Sequence, residues 1–225
     1  LKLIYSGKTK DVYENERGTY TLKLKDDATG KDGVFDPGEN AVGLTIDGLG
    51  RASLRLTEYF YKMLEAGGVP THLIGCDIEA ATMEVKPAVV FGKGLEFVCR
   101  VKAGGSFLRR YGGYAQQGDD LNYLVEVTLK DDERADPPIT KDTLLALNVM
   151  TGEEFEACKE LTGKITRLLA QDLSAKGLDL QDAKFEFGKS GGRVLLIDEI
   201  SGGCMRVYKD GVLLHPMELT KYILK

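Results

Sequence analysis

Two stretches near the carboxyl end decide how this chain is read: Asp182-Ala183-Lys184-Phe185-Glu186-Phe187-Gly188 and, further on, Asp198-Glu199-Ile200-Ser201. Between them, Gly188-Lys189-Ser190-Gly191-Gly192 joins two apolar runs, Ala183 to Phe187 and Val194 to Ile197. That is the pattern of a β-hairpin with a glycine-rich tip. Residues two apart on a strand share a face, so Asp182, Lys184 and Glu186 project together, while Asp198 and Glu199 close the facing strand. Charges alternating with aromatics allow two readings. They face solvent, or they face a site in which Glu186 and Asp198 offer carboxylate oxygens to a hard cation bridging nucleotide phosphates. In the second reading Lys184 adds a fixed positive charge beside the same phosphates.

Upstream, Thr151-Gly152-Glu153-Glu154 has the form of a capping box, and Phe155, Cys158, Leu161, Ile165, Leu168 and Leu169 follow at helical spacing up to Gly177. A second helix is expected from Arg51, with Leu56, Tyr59, Phe60, Met63 and Leu64 on one face and Gly67 as its stop. Pro70 to Val101 and Asn122 to Leu129 read as strands. Near the start, Leu3 to Tyr5 and Val12 to Tyr13 flank the loop Ser6-Gly7-Lys8-Thr9-Lys10, and Thr19 to Lys25 alternates. The Gly/Asp-rich stretch Asp26 to Gly50 lacks strong periodicity, so a long functional or mobile loop is expected there. The elements add up to an α+β fold in two lobes, the first richer in strands.

The chain has 225 residues, 43% hydrophobic and 29% charged, which excludes wholesale disorder and allows a substantial core. A net charge of −5 argues against general nucleic-acid binding, which needs a dense cationic surface. Cys76, Cys99, Cys158 and Cys204 are scattered, and with only His72 and His215 beside them they make no zinc motif. Reduced thiols in a cytoplasmic protein are the expectation. No apolar run approaches the ~20 residues of a membrane helix, and no secretory signal pattern is seen, so no membrane partner is expected.

Two weaker signals carry cations. Gly7 lets backbone approach a ligand, with Lys8 and Lys10 beside it, although the spacing of a Walker A loop is missing. Arg100-Val101-Lys102-Ala103-Gly104-Gly105-Ser106, followed by Arg109 and Arg110, joins free amides and a hydroxyl to several cations, a combination that suits a phosphate or carboxylate. Each is also an ordinary polar turn. Two Lys-Asp-Asp triplets, at Lys25 and Lys130, follow strand candidates.

Taken in order, these segments resemble the phosphoribosylaminoimidazole-succinocarboxamide synthase (SAICAR synthetase) family of purine biosynthesis. The matching runs are Tyr5 to Tyr13, Lys25 to Thr29, Arg100 to Ser106, Lys130-Asp131-Asp132 with Asp136-Pro137, Asp182 to Gly188, and Asp198 to Ser201. The resemblance implies a strand-rich nucleotide-binding lobe over residues 1–92, an α/β substrate- and metal-binding lobe over 93–225, and an active site in the cleft between them. It implies an ATP-dependent carbon–nitrogen ligase that joins the carboxylate of a phosphoribosyl-aminoimidazole to the amine of L-aspartate through an acyl phosphate. Carried over by position, Gly7, Lys8, Thr9, Lys10, Lys130 and Lys184 would hold ATP, and Glu186 and Asp198 would bind Mg2+. Arg100, Ser106 and Arg206 would grip the imidazole substrate. Lys184, Arg100 and Asp182 would be the catalytic residues. The resemblance leaves room for a homodimer.

The chain departs from the family pattern on the acceptor side. Gly202-Gly203-Cys204-Met205-Arg206 replaces a Pro-Asp-containing run, Val101-Lys102 follows Arg100 in place of Asn, and Leu213 to Leu219 has no arginine. Lys102, Arg109, Arg110 and Lys209 are the cations available to compensate. These changes motivate a second reading, a paralogue joining a different acid and amine. Further alternatives are a nucleotide-binding protein without turnover and a small-molecule kinase, the last lacking any catalytic-loop motif.

Overall fold

The computed structural model describes residues 1–224. Along them run β1 (Lys2–Ser6), β2 (Lys10–Glu14), β3 (Tyr20–Leu24), β4 (Asp27–Lys31), β5 (Val34–Phe35), β6 (Val42–Thr45) and α1 (Leu49–Ala66). Next come β7 (Leu73–Asp77), β8 (Thr82–Val85), β9 (Val89–Val90), β10 (Leu95–Lys102), α2 (Ser106–Tyr111) and β11 (Asp120–Leu129). After a 3-10 turn at Asp132–Arg134 follow α3 (Lys141–Ala146), α4 (Gly152–Ala175), β12 (Asp179–Ser190), β13 (Arg193–Ile197), β14 (Met205–Lys209), β15 (Val212–Leu213) and α5 (Pro216–Ile223). The mixture is the α+β class expected from the sequence.

Two antiparallel sheets organise the molecule. The smaller has the order β1-β2-β3-β8-β7 and buries Leu22, Leu24, Met83 and Val85 against Leu54 of α1. Here the alternation of Thr19 to Lys25 sends Leu22 and Leu24 inward and leaves Lys23 exposed. The larger has the order β11-β10-β12-β14-β15, with β9 and β13 pairing the far end of β12. Helix α4 covers one face, packing Phe155, Cys158, Ile165, Leu169 and Leu173 onto Phe97, Ala183, Phe185 and Phe187. Phe97 and Phe187 meet edge to face, with ring centroids 5.4 Å apart. The other face of β12 carries the charged residues. Helix α1 serves both cores, since Leu54 enters the smaller one and Leu56, Phe60, Tyr61 and Leu64 the larger.

Local signals set the ends of these elements. The Thr151 hydroxyl accepts the Glu154 amide at 3.2 Å, and the Glu154 carboxylate accepts the Thr151 amide at 2.8 Å, so the capping box opens α4. The β12–β13 turn is made by Gly191 and Gly192, with φ of 56° and 76°, the left-handed conformation that a two-residue hairpin requires.

Residues 26–50 differ from the expected long loop. They hold a three-stranded sheet, β5-β4-β6, and the first residues of α1. Its strands are held by close backbone approach: a Cβ on Gly43 would lie 2.4 Å from the carbonyl carbon of Gly30. Such strands bury little side chain, so they show no apolar alternation. The Asp26 carboxylate closes the segment by accepting the amides of Gly48 and Gly50, at 3.1 and 2.8 Å.

Candidate active site

The charged face of β12 is built by register. Against β10, Glu186 lies opposite Glu96, Lys184 opposite Val98 and Asp182 opposite Arg100. Like charges facing each other across a strand pair repel, and here each acid has a cation. Lys184 reaches diagonally to Glu96, Nζ to Oε1 at 2.8 Å, and Lys130 donates to Glu186 at 2.5 Å. The Thr128 hydroxyl donates to Glu96 at 3.2 Å. Further along the strand, buried Asp182 accepts from Arg206 at 2.8 and 3.2 Å and from Arg100 at 3.4 Å. Arg100 also pairs with Glu126 and donates to Ser106 at 2.9 Å, and Arg110 pairs with Glu126 at 2.6 Å. Arg206 turns its other nitrogen to Asp36, at 3.1 Å. The charges of this strand therefore face a site, which excludes the solvated-hairpin reading.

Arg206 occupies a slot between two segments. A Cβ on Gly38 would fall 2.0 Å from Nη2, and one on Gly105 would fall 2.7 Å from Cζ. The guanidinium thus fills the space that a side chain at position 38 or 105 would take.

The β1–β2 hairpin closes over the other end of this face. The Gly7 amide donates to the Lys10 carbonyl at 2.8 Å, and the Thr9 carbonyl accepts the Lys25 amide at 2.8 Å. Lys8 crosses to Asp132 and to the Asn40 carbonyl, both at 2.6 Å. Lys10 crosses to the carboxylates of Asp198 and Glu199. Burial opposes the Lys10 charge, but Asp198 and Glu199 outweigh it and raise its pKa. Burial likewise disfavours the Asp198 carboxylate, yet Lys10 and Lys130 hold its pKa well below the usual range. Glu199 moves the other way, pushed up to about 7 by burial and by the Asp198 charge beside it. The Glu186 pKa is also raised, by burial and by Asp198.

Two chambers of one cleft result. The first is lined by Gly7, Lys8, Thr9, Lys10, Lys130, Lys184, Glu186 and Asp198, and the second by Arg100, Ser106, Asp182, Lys184 and Arg206. Every site residue singled out in the sequence lies in this cleft, and Lys184 lines both chambers. Of the four cations available to compensate on the acceptor side, Arg109 and Arg110 line the second chamber. Lys102 pairs with Asp179 at 2.6 Å and Lys209 with Asp210 at 3.2 Å.

The sequence reading missed several contributors. Glu96 is buried between Lys184 and Thr128, and its signal was a lone acid in the apolar run Leu95-Glu96-Phe97. Asp36, Glu39 and Asn40 belong to the stretch expected to be a loop, and Glu39 and Asn40 line both chambers. Tyr61 and His72 converge on the Asp198 carbonyl, the tyrosine hydroxyl donating to it and His72 Nε2 lying 3.4 Å away. Burial pushes the His72 imidazole down to about 4, so the ring is neutral. Nothing in the local pattern of either residue announces this role.

Among the described residues no group of three or more His, Cys, Asp or Glu side chains forms a metal cage. Magnesium does not need one, since it commonly takes one or two carboxylates and completes its shell with phosphates and water. Glu186 and Asp198 line the same chamber, where the Asp198 charge raises the Glu186 pKa, and they are a donor set of that hard, all-oxygen kind.

The lysine-lined cleft lies in an α+β fold, and similarity to known proteins gives its class, a ligase. A family model for SAICAR synthetase matches residues 3–214, and the chain belongs to the SAICAR synthetase family. A phosphoribosylaminoimidazole-succinocarboxamide synthase of Clostridium tetani is 53% identical over 227 residues, covering 100% of each chain. The corresponding protein of Thermotoga maritima is 39% identical, over 92% of this chain and 85% of its own. A solved SAICAR synthetase in complex with ADP superposes with a TM-score of 0.83 at 28% identity, covering 98% of this chain and 91% of that one. Another solved SAICAR synthetase gives a TM-score of 0.81 at 36% identity, over 93% and 87%.

Proposed function

We propose that this chain is an ATP- and Mg2+-dependent ligase that joins the carboxylate of a phosphoribosyl-aminoimidazole to the amine of L-aspartate, in purine biosynthesis. The observation that carries the reading is the place of Lys184, which lines both chambers and so stands where a nucleotide and an acid would meet. The strand-rich lobe of residues 1–92 supplies the nucleotide side through Gly7, Lys8, Thr9 and Lys10. Residues 93–225 supply Lys130, Lys184 and the acceptor chamber. The full-length relative at 53% identity supports the same substrates over a different acid and amine.

The substrate carboxylate attacks the γ-phosphoryl group of ATP, ADP leaves, and the amine of aspartate then displaces phosphate from the acyl phosphate. Phosphoryl transfer of this kind depends on positioning and charge neutralisation. Lys10, Lys130 and Lys184 face the phosphates with fixed positive charge. Glu186 and Asp198 would hold Mg2+, which when bound would spread the negative charge of the phosphates. In the second chamber Arg100, Ser106 and Arg206 orient the acid, and Asp182 fixes both guanidiniums by accepting from each. Among the described residues no helix is long and apolar enough to cross a membrane. The four cysteines are free, which suits a reducing cytoplasm.

Incubating the purified protein with ATP, Mg2+, L-aspartate and carboxyaminoimidazole ribotide tests the proposal. The expected result is one ADP released per succinocarboxamide formed. ADP release that requires a different acid or amine, or no product at high enzyme concentration, would overturn it.

A further inference from the structure

Asp198 is a non-glycine residue with φ of 71°, at the end of β13. Asp enters this left-handed region more readily than most residues with a Cβ, at a cost of about 1–2 kcal/mol, and at 198 the surroundings hold it there. Helix α1 contributes from one face. Tyr61 donates its hydroxyl to the Asp198 carbonyl. Four residues earlier, and therefore on the same side of the helix, the Thr57 hydroxyl lies 3.2 Å from both the amide and the carbonyl oxygen of Ile200. The backbone is thus gripped on both sides of Glu199. A third contact comes from the segment after α1. The Leu196 amide donates to the Pro70 carbonyl at 2.9 Å and the His72 amide to the Leu196 carbonyl at 3.1 Å, which sets the His72 ring beside the Asp198 carbonyl. Tyr61 and Thr57 are fully buried and His72 nearly so, and a buried hydroxyl or imidazole without a partner is costly.

We propose that Tyr61 is a positioning residue for Asp198: with Thr57 and His72 it holds the backbone of 198–200 in the left-handed turn that aims the Asp198 carboxylate into the cleft. The inference rests on the reading of Asp198 as a magnesium-binding carboxylate. Tyr61 does not line the cleft and meets Asp198 through the main-chain carbonyl. Loss of its hydroxyl frees Asp198 to relax towards negative φ, which swings the carboxylate away from Lys10 and Glu186.

Tyr61→Phe keeps the ring and removes only the hydroxyl. Its effect is read as Mn2+ binding to the protein–ATP complex by EPR, and as the Mg2+ concentration giving half-maximal ADP release. The Mn2+ dissociation constant and the half-maximal Mg2+ concentration are both expected to rise about five- to tenfold, the change corresponding to one lost hydrogen bond, while KM for the acid stays unchanged. His72→Gln, which retains a side-chain donor, is expected to bind Mn2+ almost as the parent does, and His72→Leu to weaken it. His72→Leu serves as the second test of the clamp where Tyr61→Phe fails to fold. Asp198→Asn separates the two claims. If it abolishes Mn2+ binding while Tyr61→Phe leaves the metal affinity unchanged, the positioning role is overturned, including where the tyrosine variant only lowers the melting temperature. If Asp198→Asn leaves Mn2+ binding intact, the metal reading of Asp198 fails first and this inference fails with it.

Discussion

Glu96 and Glu186 sit directly opposite each other on β10 and β12, two acids in one cross-strand pair facing the cleft. The pair is tolerable because Lys184 takes Glu96 and Lys130 takes Glu186. Lys184 therefore has a structural duty as well as its proposed chemical one. Lys184→Ala is expected to lower kcat about 10²–10³-fold, the usual loss for a fixed charge facing developing negative charge, and to cost about 1–3 kcal/mol of stability by leaving buried Glu96 with the Thr128 hydroxyl but no counter-charge. Adding Glu96→Gln should restore the stability and not the rate. Steady-state kinetics and denaturant unfolding on the single and double variants check both halves.

Asp182 and Asp36 both accept from Arg206, but from different surroundings. Asp182 is buried and also serves Arg100, whereas the Asp36 side chain is 37% exposed. Asp182→Ala leaves two buried guanidiniums short of a counter-charge and is expected to destabilise by about 3–5 kcal/mol. Asp36→Ala should cost about 0–1 kcal/mol, as for a partly solvated pair. Equal shifts of the two urea midpoints would contradict this ordering.

The acid side of the pH profile should report Glu126. Burial favours its neutral form, but hydrogen bonds from Arg100 and Arg110 outweigh that and hold its pKa below the ordinary value of 4.5. A carboxyl depressed in the folded state contributes stability that is fully present above its unfolded pKa and is lost as pH falls through the folded one. Stability is thus expected to decline with pH below about 4.5, and Glu126→Gln to flatten that decline while leaving a lower plateau at neutral pH. Urea unfolding at stepped pH values measures it, and an unchanged slope in the variant would exclude the assignment.

The start of α4 carries two separable contributions. Thr151→Ala removes one half of the capping box and is expected to cost about 1 kcal/mol. Glu154→Ala removes the other half and also the 2.7 Å ion pair with Lys189 at the β12–β13 hairpin, so it should cost more. Thermal unfolding of the two variants gives the order.

What the sequence disclosed was local. The terminal hairpin showed itself through alternation and paired glycines, and α4 through its capping box and apolar stripe. These signals lie within a few residues of the structure they encode. The β5-β4-β6 sheet was hidden because its strands are held by backbone contact between Gly30 and Gly43 rather than by buried side chains. The site divides the same way. Charged residues inside short motifs stood out, but their partners did not. Lys184 finds Glu96 across 88 positions, Tyr61 finds Asp198 across 137, and Arg206 finds Asp36 across 170. No periodicity encodes contacts of that range, and a folded chain is needed to see which acid neutralises which base.

The slot that holds Arg206 carries a consequence for how this sequence is able to change. Gly38, Gly105 and Arg206 come from three separate segments, yet any side chain at either glycine collides with the guanidinium. A side chain at 38 or 105 therefore requires the guanidinium to move, which pulls it from Asp36 and Asp182, and at 105 it also meets a backbone with φ of 53°. The three positions are therefore coupled through one side chain. An alignment of close relatives should show them either invariant together or exchanged together, a pattern of inheritance written by one buried plane of three nitrogens.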